Sequence, residues 1–287
     1  MAMIQNYLRA HSLQEALSLY EQSEKPVRWL AGGTDLFLKL PLVKLPPVTV
    51  VDISDVPELC GIDPNGAGLR IGAAAKMADV ARSPLLTAGY EILAQGALVV
   101  GSPQIRNLAT LGGNLCNASP SADTSGPLLC LDAEARLVSA AGERTVPLAE
   151  FFLGPGKTVM EEGELMASLR LPPPPAAARG CYIRHTVRAA LDLAIVGVSV
   201  LLARLEGVLD TRIALWAVAP TPIRASEAES FLKQTGKLDS ATIREAARLA
   251  REAASPISDV RGSAAYRMEM VGRLTDRALR QASAALG

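Results

Sequence analysis

Aromatic residues make up only 4% of the 287-residue chain, histidine occurs twice and cysteine four times, and the 29 basic and 29 acidic side chains cancel to zero net charge. Each scarcity excludes something. Balanced charge without a block of one sign speaks against a nucleic-acid or anionic-membrane partner. The cysteines at 60, 116, 130 and 181 form no C-x-x-C pair and no Cys/His cluster, so neither a metal centre nor a disulfide framework is visible. They read as reduced core thiols. His11 and His185 have no cysteine or aspartate partner at a recognisable spacing, which argues against a histidine-based nucleophile or metal site. No run of about 18 apolar residues occurs, and the polar start "MAMIQNYLRAHSLQEALSLYEQSEKPVRW" has no apolar signal region. The expectation is a soluble cytoplasmic protein without a membrane span.

What is present suggests two units. A chain of this length buries roughly 75% of the surface its unfolded form exposes, enough for a core without staples, and it exceeds the usual size of one small domain. The four consecutive prolines in "LRLPPPPAAARG", residues 169–180, can neither join a ladder nor continue a helix and mark a linker. Before them, β-rich runs ("VRWLA", "VTVVDIS", "LRIGAA", "ARLVSA", "LMASLRL") alternate with helix-like stretches ("LQEALSLYEQ", "KMADVARSPLL"), a mixed pattern. After them come three apolar runs, two joined by the turn-like "EGVLD", which predicts an antiparallel pair. The remainder is helical: Thr242 and Glu245 have capping-box spacing, and Val271, Leu274 and Ala278 share one helix face.

Paired glycines occur twice after apolar runs, in "VRWLAGGTDLFLKL" (27–40) and "LATLGGNLCNASPSADTSGP" (108–127). A strand ending in glycines and small polar side chains fits a turn whose N–H groups converge on an anion, since glycine permits close backbone approach and positive φ. In the first pair "TDLFLKL" reads as the opening of a helix, whose N-terminus adds partial positive charge. A single such pair is better explained by a tight loop; the two together, each followed by small polar groups, shift the reading toward a dinucleotide site. Neither fits G-x-G-x-x-G, which disfavours a Rossmann domain. "LGPGKT" (153–158) is not a P-loop, because Phe151 stands where the first glycine is required.

"LAGGTDL" at 30–36, "GSPQIRNLATLGGNLCNASPSAD" at 101–123 and "ALWAVAPTPIRA" at 214–225 resemble the FAD-binding medium subunit of the molybdenum hydroxylase family, which includes xanthine dehydrogenases, nicotinate dehydrogenase, carbon monoxide dehydrogenase and 4-hydroxybenzoyl-CoA reductase. The resemblance covers nearly the whole chain. It implies an α+β fold: a p-cresol methylhydroxylase-type FAD-binding domain of two α/β subdomains, then a C-terminal domain with a three-stranded antiparallel sheet and a helical bundle. The corresponding bounds are 1–175, with subdomains about 1–56 and 57–175, and 176–287. It implies non-covalent FAD in this chain, a molybdenum cofactor in a large partner subunit, 2Fe–2S clusters in a small one, and electron transfer through the flavin to an external acceptor. The cysteine-rich insertion that holds an extra cluster in 4-hydroxybenzoyl-CoA reductase is absent. A self-contained flavin oxidase or dehydrogenase on a related fold and a non-catalytic assembly subunit are the alternatives. Substrate, acceptor, and the choice between a heterotrimer and its dimer are not encoded in the motifs.

By position, the resemblance places a first FAD loop at Trp29, Leu30, Ala31, Gly32, Gly33, Thr34, Asp35 and Leu36, and a second at Thr110, Leu111, Gly112, Gly113 and Asn114, with Gly101 just upstream. Asp123 matches the family carboxylate that contacts the ribityl or adenine-ribose hydroxyls, which an acceptor-only side chain can take. Lys157, Met166 and Arg184 fall where related subunits meet the flavin or its diphosphate. Read locally, Asp123 is a turn or helix-cap aspartate, since "SPSADTSGP" is turn-rich, Lys157 and Arg184 are surface charges, and Met166 is a core residue. Arg188 stands four residues before Asp192 and is left unassigned. No catalytic side chain and no metal ligand is expected: no carboxylate pair or nucleophile–base pair appears, so a cofactor must carry the chemistry.

Overall fold

The computed structural model describes residues 3–42, 46–87 and 89–286. The first layer is a small parallel sheet. Strand β1 (Ile4–Arg9) leads through helix α1 (Leu13–Gln22) to β2 (Val27–Leu30), and a one-turn helix α2 (Leu36–Lys39) precedes β3 (Val48–Asp52). The order is β1-β3-β2, so the fully buried "VTVVD" run lies in the middle, as a two-sided apolar strand must. Ser12 caps α1 by accepting from Glu15 N–H at 3.1 Å, while Glu15 takes the His11 N–H at 2.7 Å. Ala16, Leu17 and Tyr20 then share the buried face.

The second layer is a five-stranded antiparallel sheet of β4 (Ile62–Asn65), β5 (Gly68–Gly72), β6 (Glu134–Ser139), β7 (Gly142–Pro147) and β10 (Leu165–Leu171), ordered β4-β5-β10-β6-β7. Between β5 and β6 the chain makes short helices: α3 (Met77–Arg82), α4 (Glu91–Leu98), α5 (Pro103–Arg106), α6 (Leu111–Cys116) and α7 (Ser125–Cys130). Between β7 and β10 come α8 (Leu148–Phe151) and a hairpin of β8 (Phe152–Gly154) and β9 (Lys157–Thr158).

Past the proline run, β11 (Arg179–His185), β12 (Val196–Leu205), β13 (Val208–Trp216) and the two-residue β14 (Ile223–Arg224) form an antiparallel sheet in sequence order. The three expected strands thus carry one short edge strand, and "EGVLD" closes the β12–β13 hairpin with Glu206 and Gly207 both at positive φ. Helices α9 (Ser226–Thr235), α10 (Ser240–Ala253) and α11 (Ala264–Leu286) cover one face. Here the capping expectation needs correction. Asp239, three residues before Thr242, is the N-cap of α10, its carboxylate accepting from Ala241 and Thr242 N–H at 2.9 Å each, while Glu245 pairs with Arg248. An aspartate outranks threonine as a cap.

The C-terminal sheet is keyed to the rest of the molecule by Trp216. The fully buried indole lies so close to Gly126 of α7 and Gly197 of β12 that an added Cβ would meet its ring at 2.3 and 1.9 Å. Arg212 and Arg224 both reach Asp132 at 2.8 Å, just past α7. Leu201, Ala203 and Ala214 join the core of the second layer. This packing carries the residues of the third sheet up to the site described next.

Candidate functional site

A cavity of about 940 Å³ opens where the first sheet, the helices after β5 and the third sheet meet. That volume lies at the upper end of small-molecule sites, which span about 300–1,000 Å³. The end of β2, the loop after it and the start of α2 supply one wall through Trp29, Ala31, Gly32, Gly33, Thr34, Asp35 and Leu36. The backbone N–H groups of residues 31–35 donate to no acceptor among the described residues. Five consecutive amides without internal partners, on residues that all line a cavity, are what an anion-binding turn offers. Gly33 has φ +70°. The helix expected after this turn is a single turn long, so the amides and not a macrodipole supply the attraction.

The second glycine pair differs from expectation. Gly112 and Gly113 do not end a strand; they sit in the first turn of α6, capped by Thr110, whose hydroxyl accepts from Gly113 N–H at 3.1 Å. Leu111 and Gly112 donate to Ala75 and Ala73 carbonyls at 2.9 and 2.8 Å, and Asn114 N–H returns to Thr110 O at 3.0 Å. The glycine-rich stretch is a poor helix former; it is helical because it is stitched to residues 73–77. Gly112 packs on Ala73, where a Cβ would lie 2.5 Å from the alanine Cβ, whereas a Cβ on Gly113 would meet only the Thr110 hydroxyl, at 2.8 Å. Both glycines line the cavity, and Gly113 is the one with open space beside it. The two loops touch: a Cβ on Gly32 would stand 2.0 Å from the Leu108 carbonyl oxygen and 2.9 Å from Ala109 Cα.

Thr110, Gly112, Gly113, Asn114, Gly101, Asp123 and Met166 all reach the cavity wall. Thr124 donates to the Asn114 side-chain carbonyl at 2.7 Å, leaving the amide nitrogen of Asn114 as a donor. Four of the residues singled out do not line the cavity. Leu30 and Leu111 are buried in apolar clusters, Lys157 is exposed on the β8–β9 hairpin, and Arg184 lies behind Asp123.

Asp123 is 6% exposed and is no turn cap. Its Oδ1 accepts from the Tyr182 hydroxyl at 3.2 Å and the Trp216 indole N–H at 3.4 Å, and the Arg184 Nε stands 3.2 Å away. Tyr182 and Trp216 stack at 5.2 Å between ring centres. Burial pushes the carboxyl from 3.8 up to about 6, against the pull of the Arg184 charge and the two donors. Burial likewise pushes the Tyr182 hydroxyl well above its ordinary value, so it stays protonated and donates.

Several wall residues carry no local signal. Arg188, Leu191, Asp192 and Leu193 arrive from the loop between β11 and β12, and Arg261 from the loop before α11. The Arg188/Asp192 spacing was the one hint. The pair is real, at 4.0 Å, but in a loop. Lys39 donates to Asn117, which donates to Asp35 at 3.1 Å, tying the α2 turn to the end of α6. The Cys116 thiol, also on the wall, donates to the Met160 thioether at 3.5 Å and is pushed up to about 12 by burial.

Residues 2–174 match the family described as the FAD binding domain in molybdopterin dehydrogenase, and residues 182–282 match the CO dehydrogenase flavoprotein C-terminal domain. The chain belongs to the molybdopterin dehydrogenase FAD-binding family. Among relatives of this family, the xanthine dehydrogenase FAD-binding subunit of Escherichia coli O157:H7 is 32% identical over 286 residues, covering 98% of this chain and 97% of the relative. The carbon monoxide dehydrogenase medium chain of Hydrogenophaga pseudoflava is 35% identical over 284 residues, with 96% of each chain covered. A solved structure of carbon monoxide dehydrogenase from the same organism, lacking the Mo-pyranopterin moiety of its molybdenum cofactor, superimposes with a TM-score of 0.92 over 99% of both chains at 33% identity. The FAD-domain fold and its C-terminal flavoprotein domain are those of this family.

Proposed function

We propose that this chain is the FAD-binding electron-transfer subunit of a molybdenum hydroxylase, working in the cytoplasm beside a large molybdenum-cofactor subunit and a small 2Fe–2S subunit. The observation that carries the reading is the wall on which unpartnered amides of residues 31–35, the bare face of Gly113 and the buried Asp123 carboxylate meet. Such a wall fits a diphosphate flanked by hydroxyls. Among the described residues no helix is long and apolar enough to cross a membrane. The domain division at about residue 175 belongs to the same reading, and the relatives named medium chains support the multi-subunit setting.

When bound, FAD supplies the capacity to accept electrons singly from iron–sulfur centres and to release them in pairs to an external acceptor. The chain's own residues hold and enclose it. The amides of residues 31–35 take the diphosphate oxygens; Gly113 admits close approach at the start of α6; Thr110 and Asn114 add side-chain donors. Asp123 accepts a hydroxyl hydrogen bond, and Met166 offers an apolar surface. Trp29 contributes backbone, because its indole N–H is committed to the Glu164 carbonyl at 3.0 Å and its ring stacks on Tyr20. Leu30 and Leu111 support the loops from behind.

Absorbance of the purified chain before and after acid precipitation tests this. The expected result is flavin bands that pass into the supernatant. Flavin retained in the pellet would favour a covalent flavoenzyme, and a flavin-free protein that takes up no added FAD would overturn the reading.

A further inference from the structure

We propose that Arg184 is a positioning residue that ties the 186–193 loop to the Asp123 carboxylate, so that a cofactor hydroxyl accepted by Asp123 and closure of that loop over the cavity are coupled. The inference rests on the FAD reading of the cavity and concerns a residue that does not line it.

The Arg184 side chain is 7% exposed, as is that of Asp123. A buried guanidinium needs its N–H groups and its charge answered. Nη1 donates to the Val99 carbonyl at the end of α4 at 3.2 Å, and Nη2 donates to the Asp192 carbonyl. Nε lies 3.2 Å from Asp123 Oδ1 but is not aligned for a hydrogen bond, so the contact there is of charge with charge. One cation thus joins the FAD domain, the cavity carboxylate and the loop.

The loop depends on it. Within the loop, Asp192 accepts from Val187 and Arg188 N–H at 3.0 and 2.9 Å and from Leu193 N–H at 2.9 Å, and the Arg188 guanidinium donates to the Leu191 carbonyl. Leu191 is held at φ +54°, a left-handed conformation that an L side chain adopts only when its surroundings impose it. Among the described residues, the hydrogen bond that fastens residues 186–192 to the rest of the protein is the one from Arg184 to Asp192 O. Leu191, Leu193 and Val187 are otherwise exposed.

At the other end, Tyr182, Trp216 and Arg184 all address Oδ1 of Asp123, which leaves Oδ2 to accept from a ligand. The groups facing the carboxylate are Arg184 and Tyr182 from β11 and Trp216 from β13, and Arg184 alone among them is charged. A hydroxyl bonded to Asp123 favours the carboxylate and so keeps the counter-charge that holds Arg184 in place. Protonation removes it.

The test is hydrogen exchange of the 186–193 segment, with and without FAD, in the full chain and its variants, alongside FAD dissociation constants from pH 5 to 8. In the wild-type protein FAD is expected to slow exchange in this segment by about threefold or more, roughly 0.6 kcal/mol. Arg184→Met should still take up FAD, with exchange fast and indifferent to it, and its affinity should begin to fall at a higher pH than in the wild type. Arg184→Lys should restore part of both. Asp123→Asn approaches the coupling from the other side: segment exchange should lose its response to FAD, and the affinity its dependence on pH near 6. Wild-type coupling in Arg184→Met with an unshifted pH profile overturns the proposal, as does retained coupling in Asp123→Asn if the methionine variant does not fold. A wild-type chain that binds no FAD instead overturns the functional reading.

Discussion

Residues 31–35 and 110–114 both set paired glycines beside small polar side chains, and both line one cavity, yet their backbones are engaged differently. The amides of the first loop have no internal acceptors, whereas those of Leu111, Gly112, Gly113 and Asn114 are already bonded to residues 73, 75 and 110. The glycines differ in parallel. Gly32 and Gly112 are dictated by packing, against the Leu108 carbonyl and Ala73; Gly33 by its positive φ; Gly113 by neither. Similar composition therefore serves two purposes: a set of donors in one loop, and in the other a rigid floor with one bare position.

Placing a side chain at the contact between the loops breaks the comparison most severely. In Gly32→Ala the new Cβ falls 2.0 Å from the Leu108 carbonyl oxygen and 2.7 Å from its carbon, and backbone cannot rotate away as a side chain could. Overpacking of this kind costs about 1–3 kcal/mol or more. At about 2–4 °C per kcal/mol, the melting temperature should drop by roughly 2–12 °C. The flavin-to-protein ratio should collapse with it, and a variant melting like the wild type with full flavin would show that the loops do not need this contact.

Asp123→Asn comes next. Replacing an acceptor-only carboxylate should weaken FAD binding by about 1.5–3 kcal/mol, the range for hydrogen bonds to a charged group. The flavin-free protein gives a second readout. Its Asp123 carboxyl is raised from 3.8 to about 6, so the stability this group contributes is full below about pH 4 and is lost as pH rises through about 6. The rise corresponds to roughly 3 kcal/mol over that window. Melting curves of the flavin-free wild type between pH 4 and 8 should carry this slope and those of Asp123→Asn should not; identical pH profiles would mean that Asp123 titrates normally.

Within the second loop, Gly112→Ala and Gly113→Val should separate floor from open position. The alanine at 112 meets Ala73 and should lower the melting temperature. The valine at 113 meets only the Thr110 hydroxyl that caps α6, so its loss of fold stability is confined to about 1 kcal/mol of disturbed capping, while flavin uptake should fall by tenfold or more, about 1.4 kcal/mol. Full flavin in Gly113→Val would remove this loop from the site.

The strands were legible because β-branched runs such as "VTVVD" and "VGVSVLL" become buried ladders, and the prolines at 172–175 fall between β10 and β11, outside any element. The first glycine loop was legible for the same local reason: it follows a strand. The second was misread as a strand end because a Thr-capped helix containing two glycines has weak propensity and exists through bonds to residues 73–77. Arg184 looked like a surface charge because the Val99 carbonyl it donates to lies 85 positions away, and Asp123 like a turn residue because its partners, Tyr182 and Trp216, lie 59 and 93 positions away. Only the docking of the third sheet brings these four together.

The smallest expected effect tests whether the second loop acts through its backbone or through its side chain. The Thr110 hydroxyl accepts from Gly113 N–H, a helix cap whose loss costs about 1 kcal/mol, so Thr110→Ala should lower the melting temperature by about 2–4 °C. The same substitution releases the Gly113 amide toward the cavity. If the loop is a floor whose donors are secondary to those of residues 31–35, the freed amide offsets the missing hydroxyl and FAD affinity should stay within about fivefold of the wild type, less than 1 kcal/mol. Thr110→Ser keeps the cap and should match the wild type in both measurements. A loss of affinity beyond tenfold in Thr110→Ala, with Thr110→Ser intact, would mean that the hydroxyl hydrogen itself reaches the diphosphate. The two loops would then be equal partners in holding the anion, one through its main chain and the other through a single side chain.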